Sequence, residues 1–176
     1  MPMIILEGAD GTGKTTLANR LKDSLDFPII KAFQNTNEDL LKELKIPTNS
    51  YHEDFYFLEY WDQLGRPDCV LDRSIISGFI YERQYKFKAA IALNYWLSRL
   101  LPYKDDIYIV FLEAEVETII ERDKEWEGLE HQLHDIINSN RAILDRLNGL
   151  LYKTIVLNSS KLSPEVMERK VKRWIL

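Results

Sequence analysis

Cysteine is nearly absent from this chain. Cys69 stands alone, so no intrachain disulfide framework can hold the fold, and a reducing compartment suits it. Histidine is scarce too. His131 and His134 fall on one predicted helix with no third ligand in the pattern, and His52 lies far away, which argues against an imidazole metal centre. No apolar run approaches the roughly 18 residues of a membrane span, and the opening "MPMIILEGADG" lacks the basic start of a secretory signal. A cytoplasmic protein without a membrane partner is the expectation. Positive charge is in deficit, with 23 Lys and Arg against 28 Asp and Glu and a net charge of −5. The basic footprint of a duplex-binding protein is therefore missing, and nucleic acid is not an expected partner. No repeat, low-complexity run or linker interrupts the chain, and 176 residues, 45% of them apolar, suit one domain spanning 1–176.

The apolar residues that are present alternate between two periods. Residues 3–7, 29–30, 69–72, 106–113 and 153–158 read as strands, short or nearly continuous apolar runs of the kind that a sheet covered on both faces requires. Residues 14–25 carry Leu17, Leu21 and Leu25 at four-residue spacing, the stripe of a helix. Further helices are predicted over residues 37–45, 51–65, 74–85, 89–101, 116–124 and 129–147, with a last one running from the Ser163–Pro164 cap toward Ile175. Strands alternating with helices predict an α/β fold, a three-layer α/β/α sandwich on a five-stranded parallel sheet. Ligands of such sheets gather at the carboxyl ends of the strands.

At the carboxyl end of the first strand stands "GADGTGKTT", residues 8–16. It fits G-x-x-x-x-G-K-S/T, with Gly8, Gly13, Lys14 and Thr15 in register between a strand and a helix. The glycines open backbone conformations that a Cβ forbids, so successive N–H groups can converge on phosphate oxygens at a helix start. Gly8, Asp10, Gly11, Thr12, Gly13, Lys14, Thr15 and Thr16 form the candidate nucleotide-binding set. ATP and Mg2+ are the implied cofactors: Lys14 reaches the β- and γ-phosphates, Thr15 takes the metal, and Thr16 donates to the α-phosphate. The loop by itself does not separate a hydrolase from a kinase, but no N-K-x-D base-reading stretch of a GTPase follows.

A second cluster does follow, in "LDRSIISGFIYE", residues 71–82. Asp72 ends an apolar strand and is aimed at the same sheet edge, to hold the metal's water shell or to orient an acceptor. Arg73 beside it offers a planar fork for an acceptor phosphate. Ser77 and Tyr81 share one face of the helix that comes next. Together, "LEGADGTGKTT" and "DRSIISGFIYE" resemble the thymidylate kinase family, whose pattern is E-G-x-D-G-x-G-K-T-T and then D-R-Y-x-x-S-x-x-A-Y. Glu7, Gly8, Asp10, Gly11, Gly13, Lys14, Thr15 and Thr16 match the first part; Asp72, Arg73, Ser77 and Tyr81 match the second.

The resemblance implies a P-loop kinase fold, phosphorylation of a deoxynucleoside monophosphate such as dTMP or a modified pyrimidine relative, a small-molecule acceptor as partner, and a homodimer. The catalytic set it suggests is Lys14, Asp72, Arg73 and Arg122, with Thr15 and Asp72 at the metal. It also implies a lid around residues 122–130, where Arg122 is the chief donor and Lys124 a second. Lys31, Phe33, Tyr60, Arg73, Ser77, Tyr81 and Arg141 are the candidate acceptor-binding residues. The chain departs from the family in two places. "KAFQNTN" stands where the family has R-E-P-G-G-T, leaving Lys31 as the candidate for that arginine's work, and Ser74 replaces the tyrosine of D-R-Y. Ser74 is similar to the D-R-S of deoxynucleoside kinases, yet Phe79 occupies the position where those enzymes carry a further arginine. A deoxynucleoside kinase, a kinase of DNA ends or modified bases, and a noncatalytic nucleotide-binding module are the alternatives.

Overall fold

The structure, a computed structural model, describes residues 2–31, 61, 65–81, 94–95, 97–150 and 152–176. Phe33, Tyr60 and the helix expected over 37–45 lie outside the described residues, as does most of the aromatic segment 51–65. The described elements run β1 (Met3–Glu7), α1 (Lys14–Leu25), β2 (Ile29–Lys31), β3 (Cys69–Asp72), α2 (Ile75–Tyr81), β4 (Ile107–Glu113), α3 (Val116–Arg122), α4 (Glu130–Gly149), β5 (Lys153–Asn158) and α5 (Pro164–Ile175). The five strands form one parallel sheet in the order β2-β3-β1-β4-β5. This is the expected three-layer α/β/α architecture. No helix among the described residues is long and apolar enough to cross a membrane.

Side-chain alternation along β1 builds the two halves of the core. Met3 and Ile5 join Ile76, Ile80, Leu133, Ile136 and Ile143 on the side of α2 and α4. Ile4 and Leu6 point the other way and join Leu17, Leu21, Met167 and Val171 of α1 and α5. All five residues of β1 are buried. By the same alternation, Glu7 falls on the α2 side, fully buried.

The element ends follow local chemistry. Ser163 caps α5 by accepting the Val166 N–H, with Pro164 in the first turn. Arg20 of α1 ties that helix down through Glu165 at 3.0 Å and Glu168 at 2.9 Å. The helix expected over 116–124 stops at Arg122, because the Asp123 carboxylate accepts the Glu125 N–H and opens a short 3-10 turn, Lys124–Trp126. Trp61, a member of the aromatic segment, is core: its indole N–H donates to the Pro67 carbonyl at 2.8 Å and its ring meets Tyr103 edge-on.

Gly8 is where the central strand turns into the loop, and space decides its identity. Its φ is 142°, and a Cβ there would sit 2.3 Å from the Leu112 carbonyl oxygen of the neighbouring strand. Two backbones cannot relieve such an overlap as a flexible side chain can. Gly8→Ala is expected to lower unfolding stability by at least about 1–3 kcal/mol and to weaken nucleotide binding, measured by urea denaturation and by titration with ATP. Wild-type values for both would mean that the loop can move away from β4.

Candidate active site

Parallel pairing sets the site. Leu6 of β1 is in register with Asp72 of β3, and Lys31 of β2 with the same Asp72, so three strand ends deliver their next residues to one edge. There a cavity of about 440 Å³ is lined, among the described residues, by Asp10, Gly11, Gly13, Lys14, Thr15, Thr16, Lys31, Asp72, Arg73 and Arg122. Every one of them is a candidate from the sequence. Four cationic side chains face two carboxylates across this space, so an otherwise acidic protein presents a locally positive cavity suited to phosphate.

The loop is built around Lys14. Its ammonium, buried, donates to the carbonyls of Gly8 at 2.9 Å and Ala9 at 2.7 Å. Its third donor is left on the cavity side, where Asp10 Oδ1 lies 3.9 Å from the ammonium. Gly13, with φ 90°, occupies the cap position of α1 and lets that helix begin at Lys14. The buried Thr12 hydroxyl donates to the Ala9 carbonyl at 2.7 Å, so it frames the loop from behind. The Thr15 hydroxyl donates to Asp72 Oδ2 at 2.9 Å.

Arg73 sits across from the loop in a left-handed backbone conformation, φ 78°. For a residue with a Cβ this costs on the order of 1–2 kcal/mol. Its N–H donates to the Leu6 carbonyl at 3.1 Å. Its guanidinium pairs with Asp10 and lies 5.0 Å from the centre of the Tyr81 ring. The Tyr81 hydroxyl in turn accepts the Asp10 N–H at 3.1 Å. Burial works against the guanidinium charge, but Asp10 and Tyr81 outweigh it and the net shift is upward. Burial and the Asp10 charge push the Tyr81 phenol up to about 12.

The other candidates divide. Arg122 reaches the cavity from the end of α3, donating to the Ser159 hydroxyl at 2.9 Å, the Ser159 carbonyl at 3.0 Å and the Gly11 carbonyl at 3.3 Å. Ser159 was not anticipated; its signal was its place just past the carboxyl end of β5. Arg141 does not line the cavity and pairs with Glu113 at 3.0 Å near the surface. Ser77 is buried and donates to Glu7 Oε2 at 2.6 Å. Glu7 also takes the Ser74 hydroxyl on Oε1 at 2.6 Å, and although the sequence marked Glu7 as part of a motif, nothing in its spacing marked these partners. Among the described residues no group of three or more His, Cys, Asp or Glu is placed to hold a metal ion.

Comparison with known proteins bears on the fold. No family model matches the chain. It is 27% identical, over 99% of its length and 95% of the relative's, to a probable thymidylate kinase of Methanosarcina barkeri. Among solved structures it is similar to the YorR protein of Bacillus subtilis in complex with phosphorylated GDP, with a TM-score of 0.68 and 20% identity, covering 98% of this chain and 95% of that one. It is also similar to deoxyadenosine kinase from M. mycoides with dCMP and dCDP bound, with a TM-score of 0.58 and 16% identity over 97% of each chain. The chain has the P-loop nucleotide-kinase fold.

Burial of Lys14 makes a pH signature. Desolvation first, then repulsion from Arg73, lowers its ammonium to about 8 from 10.5, against the pull of Asp10, Glu7 and Asp72. Between those two pH values the unfolded chain keeps the proton and the folded chain sheds it, so this residue adds stability as pH rises through the window. Cys69, Tyr81 and Tyr152, each pushed up to about 12, act in the opposite sense at alkaline pH. Lys14 is therefore read by difference. In nucleotide-free protein, urea unfolding from pH 8 to 10 should show a more favourable pH slope for wild type than for Lys14→Met. Equal slopes would mean that Lys14 holds its proton throughout.

Proposed function

We propose that this chain is a phosphotransferase that moves the γ-phosphoryl of ATP onto a pyrimidine deoxynucleoside monophosphate, dTMP foremost, to give the diphosphate. The observation that carries this reading is the meeting of Asp72 and Arg73 with the phosphate loop on one cavity, linked by the Thr15–Asp72 hydrogen bond of 2.9 Å and the Arg73–Asp10 ion pair. A module that only bound nucleotide would have no use for a second phosphate-gripping group. Similarity to the probable thymidylate kinase of Methanosarcina barkeri over nearly the whole chain supports the same acceptor class.

In this reading the loop N–H groups and the start of α1 hold the donor phosphates, and Lys14 spends its remaining donor on the transferring group. Arg122, held by Ser159 and Gly11, adds positive charge from the α3 side. The segment 122–130 serves as the lid. Arg73 grips the acceptor phosphate, and Lys31 at the end of β2 faces the same space. Thr15 and Asp72 fit magnesium, an ion commonly held by one hydroxyl or carboxylate pair while phosphates and water complete its shell. Bound there, magnesium would neutralise charge on the donor phosphates. No strong base is needed, because the acceptor monophosphate is already largely ionised near neutral pH. Positioning and charge do the rest.

Two measurements test the reading. Purified protein with magnesium-ATP should form ADP fastest with dTMP in a panel containing dUMP, dCMP, dGMP, dAMP, thymidine and single-stranded DNA. Preference for thymidine would establish the deoxynucleoside-kinase alternative, which Ser74 favours, and activity confined to DNA would sink the small-nucleotide reading. Arg73→Ala should lose about 1.5–3 kcal/mol of acceptor recognition, roughly a ten- to hundred-fold drop in acceptor kcat/KM, with ATP binding retained. An unchanged acceptor constant would make Arg73 structural.

A further inference from the structure

We propose that Glu7, buried at the end of the central strand, is a positioning residue for the acceptor side: it hangs α2 from β1 through Ser74 and Ser77 and so sets Arg73 and Tyr81. The inference rests on the acceptor-phosphate role given to Arg73 above and adds what holds that side chain in place.

A carboxylate with no exposure at all needs a reason. The alternation of β1 turns Glu7 toward α2, away from the phosphate loop's helix. There each oxygen takes one hydroxyl, Ser74 on Oε1 and Ser77 on Oε2, both at 2.6 Å. Both are at the short end of the range for oxygen-to-oxygen hydrogen bonds. The Ser74 oxygen also accepts the Ile76 N–H at 3.2 Å, and the Ser74 carbonyl accepts the Ser77 N–H at 2.9 Å. One carboxylate thus ties the whole first turn of α2 to the sheet.

Arg73 lies between two such ties. On one side its own N–H is held by Leu6, and on the other its neighbour Ser74 is held by Glu7. Its left-handed backbone is consistent with a residue clamped at both ends. One helical turn beyond Ser77 stands Tyr81, whose ring underlies the Arg73 guanidinium and whose hydroxyl holds the Asp10 N–H. Neither Glu7 nor Ser77 lines the cavity among the described residues. Ser77 can therefore act on an acceptor only through Arg73 and Tyr81, whereas Glu7 also carries a charge that Lys14 feels.

Ser77→Ala is the first test, with Glu7→Gln as a variant of nearly unchanged volume should Ser77→Ala fail to fold. In either, acceptor KM should rise about tenfold, the effect of losing one strong hydrogen bond; in Ser77→Ala, which alters no charge near Lys14, the Kd for ATP should stay at the wild-type value. Combined with Arg73→Ala, the same change should add no further acceptor penalty. Penalties that add in the double variant, or a loss shared equally by ATP and acceptor in Ser77→Ala, would overturn the proposal. A second readout needs no activity: the Arg73 Nε–H NMR signal, assigned by its loss in Arg73→Lys, should shift or broaden in Ser77→Ala or Glu7→Gln. If wild type phosphorylates no acceptor, the functional reading fails while this signal still decides the positioning role, and an unmoved signal would refute it.

Discussion

A parallel sheet ends all its strands on one edge, and this constraint organises the molecule. β1 lies at its centre with paired neighbours on both sides and helices over both faces. Its backbone groups are spent on β3 and β4, so the polar chemistry begins only where the strand stops. The register of Leu6 with Asp72, and of Lys31 with Asp72, brings residues distant in sequence to one place without any long-range motif having to specify it. The close approach of Gly8 to the Leu112 carbonyl is the same constraint felt sterically.

Charge at that edge is handled locally. The protein carries a net −5, yet the cavity gathers Lys14, Lys31, Arg73 and Arg122 around Asp10 and Asp72. The described contacts hold these cations at every depth: buried Lys14 leans on two carbonyls, half-buried Arg73 on Asp10 and the Tyr81 ring, and exposed Arg122 on Ser159 and Gly11. Charged groups held in this way need little reorganisation when a phosphate arrives, which is the property that electrostatic stabilisation of phosphoryl transfer asks for. Glu7 is the exception, a carboxyl group set behind the site whose burial raises its pKa against two serine hydrogen bonds and the charges of Arg73 and Lys14.

Much of the fold was legible because its signals are local. The apolar runs of β1, β3 and β5, the four-residue stripe of α1, and Ser163 followed by Pro164 are each read within a few residues, and the structure places those elements where the patterns lie. The end of α3 was less legible, since Asp123 competes for a backbone N–H only once the chain has turned. Phe33 and Tyr60 lie outside the described residues, and Trp61, next after Tyr60 in sequence, belongs to the core.

What the sequence by itself determined was the inventory: a phosphate loop between strand and helix, an Asp–Arg pair at another strand end, and enough apolar periodicity for three layers. Those depend on spacing along the chain, which spacing alone can report. Only the tertiary structure decided the pairings across it, among them Arg73 with Asp10, Tyr81 with the Asp10 N–H, Arg122 with Ser159, and Ser77 with Glu7 and not with the cavity. A serine reads the same in sequence whether it faces a ligand or a buried carboxylate. The difference arises from which face of α2 meets which side of β1, and that is set by packing of the whole sheet.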